Sequence, residues 1–173
     1  MAASFIRHPC RIAHVTDDQP DASLSAKTGL GGSFDAIETF ASLLDDIEFG
    51  AATAKLGAQS APHLVLNGVE ISVRPEVTLH SKSKTTELVG GIKLHFPKTE
   101  PLDEEQADYI TAMMHSFCQN HLWKHGAPYG GHCMVIDLGS GKVYPGVKAV
   151  KQRLKEVGNA CGQIAARWPG IAK

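Results

Sequence analysis

No window of the chain approaches the ~20 apolar residues that a helix needs to cross a bilayer. The opening MAASFIRHPCRIAHV contains no continuous apolar core of secretory-signal length. The expectation is therefore a cytoplasmic protein with no membrane partner. Cysteine is sparse and scattered: Cys10, Cys118, Cys133 and Cys161 form no CxxC pair. That excludes a zinc ribbon of ordinary spacing and argues for reduced thiols rather than a disulfide framework. Internal repeats and low-complexity tracts are also absent. Net charge is nearly so, at −1, and bulk electrostatics thus select no partner.

What is present fits one ordinary domain: 173 residues, 43% apolar and 20% charged. The charge is unevenly placed. Residues 1–73 hold 4 basic and 9 acidic groups, and residues 99–141 hold 1 and 6. Residues 74–98 hold 5 basic and 2 acidic groups, and residues 142–173 hold 7 and 1. The two basic blocks would serve a polyanion if the fold brought them together.

Residues 1–32 are the least regular part. Residues 11–15 read as a short strand, and residues 17–32, rich in Asp, Ser, Gly and Pro, as a loop. Residues 33–173 form the expected domain. Ser33 is placed to cap a helix reaching residue 49, with Ile37, Phe40, Ala41, Leu44 and Ile47 at helical spacing and Gly50 as the stop. A strand over residues 63–66 meets Asn67-Gly68, the turn that accepts positive φ at both central positions.

Residues 69–80 then alternate cleanly. Ile71, Val73, Val77 and Leu79 share one face; Glu70, Ser72, Arg74, Glu76, Thr78 and His80 share the other. A polar link over residues 81–86 leads to a strand over 87–96, where Val89, Gly91, Lys93 and His95 share a face. Pro75 cannot donate to a ladder, so pairing must loosen there. Asp103 and Gln106 spell a capping box for a helix reaching about residue 123. Residues 132–144 read as a hairpin turned at Gly139-Ser140-Gly141, and residues 147–167 as a closing helix before Pro169. The fold class is α/β (α+β): helix, three-stranded antiparallel meander, helix, further strands, C-terminal helix.

Strand parity alone places Glu76 and Lys93 on one polar face. An exposed pair of this kind contributes only about 0–1 kcal/mol. Beneath a proline break, however, a carboxylate and an ammonium can also face a hydrated cation or a phosphate. Other clusters are weaker. Cys118, His121, His125 and Cys133 match no zinc-ligand spacing, and Gly139 to Lys142 lacks the full phosphate-loop spacing.

VRPEV at residues 73–77 and VGGIKLHF at 89–96 resemble the core of the PD-(D/E)XK, or restriction-endonuclease-like, nuclease superfamily. The resemblance covers about residues 33–145. It implies a restriction-endonuclease-like core and a metal-dependent hydrolase of phosphodiester bonds. Pro75-Glu76 matches the acidic pair, Lys93 matches the lysine, and Gly91 stands where a second acid belongs. The resemblance thus implies Glu76 as a ligand of Mg²⁺ or Mn²⁺, with Lys93 beside the attacking water. Glu38 on the first helix is the leading substitute for the missing acid, as metal ligand and catalytic group, followed by Asp45 and then Glu87. Arg74, Lys82, Lys84 and His95 are the expected nucleic-acid contacts, with His80 and Lys98 nearby. Gln106 and Tyr109 sit where some members carry a Gln and a Tyr, at a different spacing. Two other readings stay open: an inactive nuclease-fold module binding nucleic acid, a protein partner or a second copy, and an unrelated domain in which Glu76 and Lys93 are a surface ion pair.

Overall fold

A computed structural model describes residues 24–171 apart from 45, 46, 48 and 98, with backbone alone for 24–33 and 171. The expected strand over 11–15 lies outside the described residues, as do Cys10, Asp45 and Lys98. Helix α1 spans Leu24–Leu44. It begins earlier than expected, so Ser33 lies inside it and residues 24–32 are not a loop. Its inner face is Ala36, Phe40 and Leu43, while Ile37 is 63% exposed. The expected stripe was thus rotated by about one position.

The strands are β1 (Thr53–Leu56), β2 (Leu64–Leu66), β3 (Val69–Ile71), β4 (Val77–Ser83), β5 (Thr86–His95), β6 (Ala127–Asp137) and β7 (Lys142–Tyr144). Helix α2 spans Glu104–His121, a 3-10 turn spans Trp123–His125, and helix α3 spans Val150–Ile171. α3 includes Pro169, expected just beyond it. Five strands form one sheet in the order β1-β4-β5-β6-β7; β2 and β3 form a separate hairpin. Every neighbouring pair is antiparallel except β5–β6, the parallel pair that α2 connects.

Asn67 (φ 47°) and Gly68 (φ 81°) make the expected hairpin turn. The strand expected over residues 69–80 is two strands, because Pro75 breaks it. β3 stays in the hairpin, the chain crosses over 72–76, and β4 joins the main sheet. The antiparallel meander of the main sheet is therefore β1-β4-β5, with the hairpin inserted between its first two strands. β1 carries no inside-outside alternation, since all its residues are exposed.

The central strands of the sheet are buried on both faces. Against α1 lie Leu79, Ile92, Met134 and Ile136; against α2 lie Val89 and Cys133, packed with Met114, Phe117 and Cys118. Burying each of the larger side chains stabilises the fold by about 1.5–3 kcal/mol. α2 starts at the expected capping box: Asp103 accepts from Gln106 N at 2.7 Å, and Asp103 N donates to Gln106 Oε1 at 3.1 Å. α3 is held to α2 by Arg153, which donates to Asp108 Oδ2 at 3.0 Å and lies 4.9 Å from the Tyr109 ring.

Fully buried Asp137 ties β6 to the segment before α2. Its Oδ2 accepts from Leu102 N (2.9 Å) and Ser140 Oγ (2.7 Å), and its Oδ1 accepts from Gly139 N (3.0 Å). Burial raises this carboxyl's pKa, but the donors from Ser140, Leu102 and Gly139 outweigh it and hold the pKa below the ordinary range.

Candidate functional site

Beyond Pro75 the β4–β5 ladder ends and side chains take over its hydrogen bonds. Glu76 N donates to Ile92 O at 3.0 Å, the last backbone bond on that side. Past it, Leu94 N donates to Glu76 Oε2 at 2.8 Å, and Lys93 Nζ donates to Glu76 Oε1 at 2.6 Å. Lys93 Nζ also donates to Arg74 O at 3.2 Å, a carbonyl freed by the proline break. Glu76 and Lys93 are 21% and 34% exposed, so the pair faces a rim and not open solvent.

Above the pair lies a polar pocket of about 400 Å³, lined by Gln59, Ser60, His63, Ser72, Arg74 and Lys93. The loop carrying Gln59 to His63 reaches it because Gly57 docks on the proline break. Gly57 N donates to Glu76 O at 2.8 Å, and a Cβ at Gly57 would fall 1.9 Å from Pro75 O. Arg74 Nη1 donates to Gln59 O at 3.3 Å and meets no carboxylate among the described residues. His63 lies 3.3 Å from Glu70 Oε2. Lys93 is neutralised by Glu76, so Arg74 gives the pocket its net positive charge. Sequence reading missed Gln59, Ser60, His63 and Ser72 as pocket residues, because a loop with no periodic pattern brings most of them in.

The acids do not converge. A Cβ at Gly91 would lie 2.7 Å from Met114 Sδ and 3.0 Å from Pro75 Cβ, and Met114 is fully buried. The volume that a second acid needs is therefore filled. Glu38 is exposed on α1, whose inner face packs on the side of the sheet opposite Lys93. Glu87 pairs with Lys82 at the far end of β5. No group of three or more His, Cys, Asp or Glu among the described residues is arranged to hold a metal ion. A divalent cation of the Mg²⁺ or Ca²⁺ kind takes about six or more oxygen ligands. One carboxylate with both oxygens already engaged does not fit the metal centre that the resemblance implies.

The expected nucleic-acid contacts separate into two groups. Arg74 lines the pocket. His95, on the face of Lys93, is bonded to Glu100 O at 2.9 Å. Lys82 lies six residues along from Glu76, about 20 Å at ~3.3 Å per residue, and Lys84 lies beyond it in the β4–β5 turn. Gln106 and Tyr109 serve the fold: Gln106 completes the α2 cap, and Tyr109 donates to Glu156 Oε2 at 3.0 Å. Cys118 and Cys133 are buried free thiols in the core under α2.

Three histidines carry a pH dependence. A Cβ at Gly90 would lie 2.3 Å from His132 Cβ; the glycine lets His132 reach across to Ser81 Oγ, 2.7 Å from Nε2. Burial lowers the pKa of His132, His80 and His115 below the ordinary 6.5, with Lys55 adding to the effect at His80. The unfolded chain therefore binds these protons first as pH falls. Their contribution to stability is complete above about pH 6.5 and is lost progressively below it. The urea midpoint is expected to fall between pH 7.5 and 5.5, and His132→Gln is expected to flatten that fall.

No protein-family model, curated protein or solved structure matches the chain.

Proposed function

We propose that the notch beside Pro75 binds a phosphate of nucleic acid on a nuclease-like scaffold that has lost hydrolytic competence. One observation carries this reading. Arg74 and Lys93 converge on a polar pocket, while the position a second acid would need is filled by Met114. A guanidinium with free donors and an ammonium form a charge-assisted site for phosphate oxygens. The order helix, β1-β4-β5 meander, α2, and β6 parallel to β5 supports a restriction-endonuclease-like core. The buried free thiols suit a cytoplasmic setting.

The second reading is metal-dependent hydrolysis of phosphodiester bonds, with Mg²⁺ or Mn²⁺ held by Glu76. It is favoured by the Glu76–Lys93 pair standing on one face of adjacent strands, 2.6 Å apart. Single- and double-stranded DNA and RNA, incubated with either metal and with wild type or Lys93→Ala, separate the two. The expected result is binding that survives EDTA and no cleavage that depends on metal and Lys93. For Arg74, the notch cation with no carboxylate partner among the described residues, log K should fall with log salt at a slope of about −0.7 on single strands. Metal-dependent cutting lost in Lys93→Ala would establish the second reading. Absence of any nucleic-acid binding at low salt would shift the notch to a protein partner or a second copy.

A further inference from the structure

The end of the sheet away from the notch carries several cations and an exposed indole. Lys82 and His80 project from the same face of β4, and Lys84 occupies the β4–β5 turn with φ 53°. The His80 ring meets the His125 ring at 5.8 Å, which brings in the 3-10 turn Trp123–His125. Gly126 closes the join, since a Cβ there would lie 2.7 Å from the Glu87 backbone, and Glu87 Oε1 is 3.2 Å from Lys82 Nζ. Trp123 is 61% exposed, with Lys124 Nζ 5.5 Å from its ring centroid. Glu87 is the one carboxylate seen to pair with a cation of this patch among the described residues.

At this exposure Trp123 contributes little to the core and leaves its ring accessible to a ligand. An exposed indole with one ammonium beside its ring and further lysines at the same end of the sheet suits a base stacked on the ring with its phosphates on the lysines. A duplex hides its base faces, whereas a single strand presents them. We infer that Trp123, with Lys82, Lys84 and Lys124, is a stacking platform for single-stranded nucleic acid. This inference extends the reading of the notch and rests on it for the class of ligand. Lys55 on the exposed edge strand, opposite Thr78, lies between the two sites. The separation of about 20 Å between Glu76 and Lys82 along β4 is within reach of a twelve-nucleotide strand even at the ~3.4 Å spacing of stacked bases.

The test uses the full chain with Trp168→Phe, which leaves Trp123 as the sole tryptophan of the two. Emission is followed during titration with dT12, U12, dT4 and a twelve-unit abasic strand of equal charge. The expected result is quenching by dT12 and U12, weaker binding of dT4, and at least tenfold weaker binding without quenching for the abasic strand. Trp123→Ala should weaken dT12 about tenfold, and removing the three lysines should make the salt slope shallower by about 2. Unchanged emission with dT12 bound, or equal affinity for the abasic strand, would overturn the platform. If dT12 quenches Trp123 but ignores Arg74→Ala, the notch reading fails and the platform stands. If Arg74→Ala weakens binding while Trp123 stays silent, the reverse holds. Failure of every strand to bind overturns both.

Discussion

Gly91→Glu, which writes the missing acid back into the motif, is expected to cripple the fold without conferring cleavage. A Cβ at this position already meets Met114 Sδ at 2.7 Å and Pro75 Cβ at 3.0 Å. Both neighbours are buried: the Pro75 ring is fixed by the backbone, and the Met114 thioether gives way only by shifting within the core. Overpacking of this kind costs about 1–3 kcal/mol, which is the expectation for Gly91→Ala. A glutamate adds the cost of taking a carboxylate out of water beneath α2, and Lys93 is already committed to Glu76. Domains of this size are stable by roughly 5–15 kcal/mol, so the glutamate variant should approach unfolding at ordinary temperature. Urea midpoints measure it directly. Met114→Ala in the Gly91→Ala background should recover part of the loss, because it empties the contested volume. A Gly91→Glu protein that melts like wild type and cuts DNA with Mg²⁺ would show that the site is merely missing a ligand.

The second large effect is a pair of substitutions with opposite signs. Arg74→Ala removes the one pocket cation that no described carboxylate neutralises, and should weaken binding of a single-stranded oligonucleotide by about 10- to 100-fold, the equivalent of one charge-assisted hydrogen bond. Arg74→Lys should restore part of this, since it keeps the charge and loses the planar fork. Glu76→Gln should instead tighten binding, because it releases Lys93 from its ion pair. That variant will be less stable by about 1–3 kcal/mol, since the amide NH2 replaces one of the two accepting oxygens and faces a donor, Lys93 Nζ or Leu94 N. If Glu76 were a metal ligand, the same substitution would abolish function. Fluorescence anisotropy at matched salt, with and without EDTA, reads both variants.

The features legible in the sequence were those set by local chemistry or by a period of two. Asn67-Gly68 announces its turn through the positive φ that both residues accept, and Asp103 with Gln106 announces the α2 cap. Glu76 and Lys93 meet because strand parity puts them on one face, and antiparallel pairing sets Val77 opposite Ile92. What stayed hidden depends on partners distant in the chain. β1 is an edge strand exposed along its whole length, so it has no alternation to read. Pro75 predicts a loosened ladder, but not the transfer of the chain between two sheets. Residues 129–132 bulge out of β6 opposite Gly90, a register shift written only in the packing. The absence of an acid at 91 was visible; that Met114 occupies its place was not.

The central claim is that the notch holds phosphate on Arg74 and Lys93 and holds no metal on Glu76. Crystals grown with a short single-stranded oligonucleotide and soaked in Mn²⁺ test it in one measurement. The account predicts phosphate density within hydrogen-bond reach of both cations and no anomalous manganese peak beside Glu76. A manganese peak coordinated by Glu76, with the phosphate bridging to it, would contradict the account.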